Sequence, residues 1–557
     1  MKSPEEVCRD AHALYAGGAI DAALAALEDG LRQHPESTIL RNNLGLVLLQ
    51  SNRVQEAIEA FQEVHRRDPA DPDVASNLGA AILRAGRPRE ALAYLDRALR
   101  LAEHHAVART HRGDALLDLS RPEEAAQEFQ RALDDDPRSP RAAFNLGVAL
   151  AATDRPEEAA RAYARAAGLF PDYFKAHVNL GLTLLDLGRP AEAAGSLRRA
   201  LSLSPDSPAI HSALIFSQDF DPAAGAREQL EERRRWDERF GRRAGATAPP
   251  ARADEPDRCL RVGYVTSDGG RHSAAQGFGE LLESHDRLRF EVFVYSGRPA
   301  AEEDDRSARF RRSVEGWRTI HDASDEEVAR AIRDDRIDIL VDLSGHSRGN
   351  RLPVFAHRPA PVQATGIGHL PPGMRAIDYR LTTRAMDRSD DPTFPEQPAY
   401  LTLPFGFQPP PSPPVSSLPS AERGHVTYGY LGRWSKVGPP VLEAWARILR
   451  EVPGSRLRLQ CRGLEDASPL DAAGIDPGLV EVLEPSNQFD HLDACRGIDV
   501  ALDTFPHGGG VTALDGLWMG VPMVTRLGER VPGRMGASFL TALGLEDFIA
   551  ATPDAYV

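Results

Sequence analysis

No stretch of the sequence approaches the run of about 18 apolar residues that a membrane-spanning helix requires, so no transmembrane segment is expected. Cysteine is scarce. Cys8, Cys259, Cys461 and Cys495 lie far apart with no CxxC pair, which excludes a disulfide framework or a cysteine-based zinc site as the organising element. Also missing is any excess of positive charge. The formal net charge of −16 argues against a general nucleic-acid binder, because phosphate neutralisation needs clustered Lys and Arg; an anionic ligand has to be held by a local site. The opening residues MKSPEEVCRD carry mixed charge, with no apolar stretch behind a basic one, so no secretory leader is expected and the cytoplasm is the expected compartment. What is present is an ordinary globular composition, 42% hydrophobic and 27% charged over 557 residues, a length that implies about three domains.

A period of 34 residues runs through the first part of the chain: Gly45, Gly79, Gly113, Gly147 and Gly181 follow it without a slip. In register stand Glu56-Ala57, Glu90-Ala91, Glu124-Ala125, Glu158-Ala159 and Glu192-Ala193. Pro35, Pro69, Pro137, Pro171 and Pro205 mark repeat ends, a series broken by Glu103. This is the tetratricopeptide period. Each unit predicts two amphipathic helices, with the small residues where the helices cross closely and the proline ending the second helix. About six repeats are expected over residues 1–206, the first, near Ala11 to Pro35, being atypical as a capping unit is. Asn43, Asn77, Asn145 and Asn179 share one repeat position, with His111 in the middle repeat, and would form a row of amides along the superhelix. An amide offers donor and acceptor together, which suits an extended peptide backbone. The same position also serves to cap or brace neighbouring repeats, and spacing does not separate the two readings.

Beyond Pro205 the period stops, and residues 207–258 read as a helical linker. Within it Ala223 to Phe240 reads as one charged helix with a solvated face, and Gly245 to Asp257, rich in Ala and Pro, as a connecting segment. From Leu260 the texture changes. LRVGYVT (260–266), FEVFVYS (290–296) and IDILVDLS (337–344) alternate with helical stretches, the pattern of a parallel sheet. The break Pro409 to Pro414 separates a second series, HVTYGYL (425–431), SRLRLQC (455–461) and VALDTF (500–505). Two Rossmann-like domains, 259–415 and 424–557, are therefore expected, with ligands beyond the carboxyl ends of their strands in the cleft between them. The most informative stretch is Asp503 to Pro522, DTFPHGGGVTALDGLWMGVP. Its glycines admit backbone N–H groups to a phosphate, the helix N-terminus that follows adds partial positive charge, the Thr512 hydroxyl supplies a further donor, and Asp515 one turn on suits ribose hydroxyls. A tight strand-to-helix turn is the plainer reading of the glycines alone.

Set beside Leu431 to Leu449 (LGRWSKVGPPVLEAWARIL), Leu260 to Ser273 (LRVGYVTSDGGRHS), DLSGHSRGNRLPVFAHRPAPVQ at 342–363, IDY at 377–379 and LWMGVPMVT at 517–525, this stretch resembles the O-linked N-acetylglucosamine transferase and SPINDLY family. The resemblance covers nearly the whole chain, repeats included. It implies an all-α tetratricopeptide superhelix followed by an α/β GT-B-type pair of Rossmann-like domains. The reaction it implies is metal-independent transfer of a sugar from a nucleoside diphosphate to Ser or Thr of a protein presented by the repeats. By position, Lys436 matches the lysine that neutralises the leaving diphosphate, stabilising charge that grows in the transition state. His272 matches the histidine beside the acceptor hydroxyl, a general base or positioning group. His491 matches a histidine packed near the nucleotide, Thr512 and Asp515 the phosphate and ribose contacts, and Gly368 a backbone contact to the sugar. Arg433, Gln488, His507, Gly509, Gly510 and Val511 complete the implied nucleotide-sugar site.

No cofactor is implied. The co-substrate implied is UDP-GlcNAc, GDP-fucose staying open because the family includes O-fucosyltransferases; a non-catalytic repeat scaffold is the third reading. Expected partners are protein acceptors and the sugar donor, without nucleic acid or membrane. The sequence also departs from the pattern. Gly510 and Val511 stand where animal members carry His-Thr, with His507 upstream as a substitute. Gln488 and Ala494 stand where a lysine and an arginine contact the donor, the turn after Gly368 is one residue shorter, and Val557 falls within a segment that family members continue.

Overall fold

The structure, a computed structural model, describes residues 2–241, 258–270, 273–366, 370–387, 394–404, 406–407, 409, 411–462, 464, 468–484 and 487–557. The expected segment Gly245 to Asp257 lies outside them. The chain forms two compact units, Met1–Thr183 and Leu184–Val557.

In the first unit helices come in pairs, from Pro4–Ala16 with Ile20–Gln33 and Thr38–Gln50 with Val54–Arg67 through to Pro140–Ala152 with Pro156–Leu169. Local sequence starts them. Ser37, Asp71 and Ser139 each accept a backbone N–H of the helix they precede, and proline in the first turn fits where no N–H partner is needed. The periodic glycine is a groove for a large residue of the paired helix. A Cβ on Gly45, Gly79, Gly113 or Gly147 would lie 2.7, 2.7, 2.5 or 2.6 Å from Phe61, Leu95, Phe129 or Tyr163, all buried. Gly168, in the same unit, has nothing within 4 Å of such a Cβ. Gly168→Ala is therefore expected to hold or slightly raise stability through helix propensity, whereas Gly113→Ala overpacks the Phe129 ring and should cost about 1–3 kcal/mol in urea unfolding of the repeats. Equal midpoints for the two variants would rule out the groove.

The second unit opens with helices Pro190–Leu203, Pro208–Phe220 and Ala226–Phe240, so a helical hairpin follows the expected end of the repeats. The last helix corrects one expectation. Its charges are not simply solvated: Glu232, Arg233 and Asp237 are buried around Trp236. Glu232 meets His211 at 2.6 Å, Arg233 meets Asp219 at 2.7 Å, and Asp237 pairs with Arg375. Buried charge persists when it is paired and hydrogen-bonded, and these partners lie on other elements, out of reach of a helix-by-helix reading.

Two all-parallel sheets follow. The first contains β1 (Leu260–Thr266), β2 (Phe290–Ser296), β3 (Gly316–Thr319), β4 (Ile339–Asp342), β5 (Val362–Gly366), β6 (Tyr379–Thr382) and β7 (Gln397–Tyr400) in the order β3-β2-β1-β4-β5-β6-β7. The second contains β8 (Thr427–Arg433), β9 (Arg456–Arg462), β10 (Val480–Val482), β11 (Val500–Leu502), β12 (Met523–Arg526) and β13 (Ile549–Ala550) in the order β10-β9-β8-β11-β12-β13. These are the two Rossmann-like domains that the apolar runs predict. Helices cover the sheets, and Trp236 of the hairpin sits in one core cluster with Tyr295, Leu340 and Phe355 of the first domain. Strand order reverses between β1 and β4 and again between β8 and β11, the switch points at which open parallel sheets bind ligands. Among the described residues no helix is long and apolar enough to cross a membrane.

Candidate active site

The carboxyl ends of the strands at both switch points open on one cavity of about 270 Å³. Asp268 reaches it from β1, Leu343 and Ser344 from β4, Arg433 and Lys436 from β8, and the glycine loop from β11. The hairpin adds Phe216, Asp219, Phe220 and Arg233 to the wall.

A buried aspartate ends a central strand in each domain and organises the loop after it. Asp503 accepts the N–H groups of Thr504 (2.9 Å) and Gly509 (2.6 Å) on Oδ1 and the Thr525 hydroxyl of β12 on Oδ2 (2.7 Å). Asp342 accepts the N–H groups of Ser344 (3.1 Å) and Gly345 (3.0 Å) and the Thr365 hydroxyl of β5 (2.7 Å). Neither residue was singled out from the sequence. The signal was available, since ILVD and VALD are apolar strands that both end on an acid. One expectation is corrected here: the Gly509 N–H does not face a phosphate, because Asp503 accepts it.

The loop runs into helix Val511–Trp518, whose N-cap is Gly510 with no side-chain cap. The N–H groups of a first helical turn lack intrahelical partners, so Gly510, Val511 and Thr512, all on the cavity wall, present an electropositive edge to it. Lys436 stands beside it, in the turn Trp434–Lys436 after β8, and its Nζ donates to the Gly508 carbonyl at 2.7 Å. Burial pushes this ammonium down to about 8; Asp503 opposes that shift and Arg433 adds to it. The chain's lysines are Lys2, Lys175 and Lys436, among 66 Lys and Arg together. In so arginine-rich a chain, a lysine at this point was itself a signal: a compact point charge is retained where a planar fork would not serve. His507 lines the cavity and stacks on Phe220, ring centroids 4.5 Å apart.

His491 and Asp515 lie together on neighbouring helices, Nε2 to Oδ2 being 3.7 Å. The Gln460 amide donates to the Glu484 carbonyl (2.9 Å), so its oxygen is the acceptor for His491 Nδ1–H at 2.8 Å. That leaves His491 Nε2 as an acceptor, and among the described residues neither it nor Asp515 Oδ1 has a hydrogen-bond partner although both are buried. Burial raises the Asp515 carboxyl to about 7 and lowers His491. Two adjacent acceptors match a ligand that brings hydroxyl donors, such as a diol. Thr512 and Asp515 share a helix face, one turn apart.

His272 and Gly368 lie outside the described residues, and so does the side chain of Gln488, which opens helix Gln488–Cys495. In the repeats, Asn77 donates to Asn42 (3.2 Å) and Asn145 to Asp114 (2.6 Å), each in the preceding repeat, while Asn43 donates to its own helix at Ile39 (2.9 Å). Asn179 lies beside Tyr163. Bracing is thus one job these amides do. His111, buried beside Arg141, is pushed down to about 3 and is neutral. Among the described residues no group of three or more His, Cys, Asp or Glu is placed to hold a metal ion.

Comparison with known proteins agrees with this fold. The model of the tetratricopeptide repeat matches residues 8–72, 77–140, 110–172 and 144–208. Curated relatives include a protein of Hordeum vulgare described as a probable UDP-N-acetylglucosamine–peptide N-acetylglucosaminyltransferase SPINDLY, 36% identical over 318 residues (54% of this chain, 33% of that one). The protein of the same description from Arabidopsis thaliana is 35% identical over 347 residues (59% and 37%). The chain thus spans about a third of the length of the curated relatives it matches. A solved structure of a mutant O-GlcNAc transferase from Thermobaculum terrenum is 32% identical, covering 81% of this chain and 88% of its own, with a TM-score of 0.72. The model of glycosyl transferase family 41 matches residues 246–406 and 418–557, both Rossmann-like domains, and the chain belongs to that family.

Proposed function

We propose that the chain is a protein O-glycosyltransferase that moves N-acetylglucosamine from UDP-GlcNAc to Ser or Thr of proteins bound by its repeats. The observation that carries the reading is Lys436 held on the glycine loop beside an uncapped helix N-terminus, both lining the cavity at the switch point of the second sheet. A diphosphate there meets an ammonium and first-turn N–H groups together, and the charge that develops as the sugar leaves is stabilised by groups already in place. Asp515 and His491 supply acceptors for the ribose hydroxyls. His272, by its place in the motif, is assigned to the acceptor hydroxyl. The names of the relatives and of the solved structure support UDP-GlcNAc as the donor.

Calorimetric titration with UDP and with GDP tests this. UDP should bind at least about tenfold more tightly than GDP, a difference of about 1.4 kcal/mol. UDP affinity should fall as pH rises through about 8, where Lys436 loses its proton. Binding of GDP alone would overturn the donor, and binding of neither at millimolar concentration the activity.

A further inference from the structure

We propose that Phe220 is a positioning residue for the glycine loop: it holds His507 so that the Gly508 carbonyl and the Lys436 ammonium keep the geometry that a diphosphate meets. The proposal rests on the function proposed above. Phe220 belongs to neither sheet. It ends helix Pro208–Phe220, and its ring lies flat on the His507 imidazole, centroids 4.5 Å apart and planes 9° from parallel. Phe216 meets it edge-on, at 5.0 Å and 65°, so two rings fix its plane, and all three line the cavity.

The helix end that carries Phe220 is tied to both domains. Asp219 pairs with buried Arg233, and Arg233 Nε donates to the Pro371 carbonyl of the first domain at 3.1 Å. From the second domain Arg530 donates to the carbonyls of Asp221 (3.1 Å) and Ala224 (3.0 Å). On the far side of the stack the path to Lys436 is short. The His507 carbonyl accepts the Thr504 hydroxyl at 2.8 Å, and the next carbonyl, Gly508, accepts Lys436 Nζ at 2.7 Å. Burial and the charges of Lys436, Arg433 and Arg530 hold the imidazole neutral, and a neutral ring stacks on an aromatic face without desolvating a charge. An aliphatic side chain fills similar space but imposes no plane, and the test turns on that difference.

The full chain, Phe220→Leu and Phe220→Tyr are compared in steady-state kinetics with UDP-GlcNAc and by hydrogen exchange across residues 504–512. Phe220→Leu should lower kcat about tenfold with donor KM within about twofold, the signature of misplaced catalytic groups, and should speed exchange of the loop amides. Phe220→Tyr, which keeps the flat face, should return both to within about twofold of wild type. Wild-type kcat in Phe220→Leu, a change in KM alone, or equal impairment of the two variants would overturn the proposal. If the wild-type chain neither binds nor turns over UDP-GlcNAc, the function proposed above fails by itself, and exchange decides the positioning role. Faster exchange in the leucine variant alone supports it; equal exchange in both overturns it.

Discussion

Lys436→Ala should lower kcat by about a thousandfold or more, the size of effect seen when a preorganised group facing transition-state charge is removed, while thermal unfolding of the chain stays nearly unchanged. The two halves of this expectation have separate causes. The ammonium stands over the Gly508 carbonyl at the cavity wall, and among the described residues that line the cavity Lys436 is the one lysine. Stability is spared because the loop's architecture hangs on Asp503, whose three donors do not involve Lys436. Linkage adds no destabilisation when the lysine is removed. A lysine whose folded pKa is depressed to about 8 destabilises the fold. That effect is complete below pH 8 and vanishes above the unfolded value, so removing the side chain relieves it. Lys436→Arg keeps the charge but substitutes a planar fork, and should recover less than about a tenth of the activity. Steady-state assays with calorimetric scans of the same samples check both halves; near-wild-type turnover in Lys436→Ala would end the role assigned to it.

Asp503 separates structure from charge. Asp503→Ala leaves the N–H groups of Thr504 and Gly509 and the Thr525 hydroxyl without their acceptor. At about 1–3 kcal/mol for each buried group so stranded, a loss of about 4 kcal/mol is expected, read as an earlier denaturant transition. Asp503→Asn is different. Its Oδ1 still accepts both N–H groups, and its amide donates to a Thr525 hydroxyl that rotates to accept, so most of the stability should survive. What it removes is charge. Asp503 is the group that raises Lys436 against burial, so in Asp503→Asn the lysine should deprotonate below pH 8 and the alkaline loss of UDP affinity should move to lower pH. Calorimetry across that range checks the direction. An unmoved limb would show that the carboxylate does not act on the lysine.

Legibility in the sequence followed the distance over which contacts act. The repeats are legible because Gly45, Gly79, Gly113 and Gly147 each meet a residue of the very next helix, as Gly45 meets Phe61, and a local contact repeated writes a period. LRVGYVT and FEVFVYS read as strands because both faces of a parallel sheet are covered. Lys436 and the glycine loop were legible through their motifs. Asp503 was less so, because its role depends on Thr525 one strand away, and Gly509 was misread for the same reason. The buried charges of Ala226–Phe240 and the Phe220–His507 stack were not legible at all. They join residues that no local pattern relates, and only the packing of the hairpin against both domains brings them together.

The hairpin Pro208–Phe240 follows the array without continuing its pattern. Carried one step further, the 34-residue register would put the glycine at Ile215 and the Glu-Ala pair at Ala226-Arg227, so the repeat's own marks are gone. These helices serve the cavity instead: Phe216, Asp219, Phe220 and Arg233 line its wall. The turn before Pro190 is bound to the site as well, since a Cβ on Gly188 would lie 2.8 Å from the Cα of Ser435, beside Lys436, so neither this turn nor the hairpin can be exchanged for a generic one.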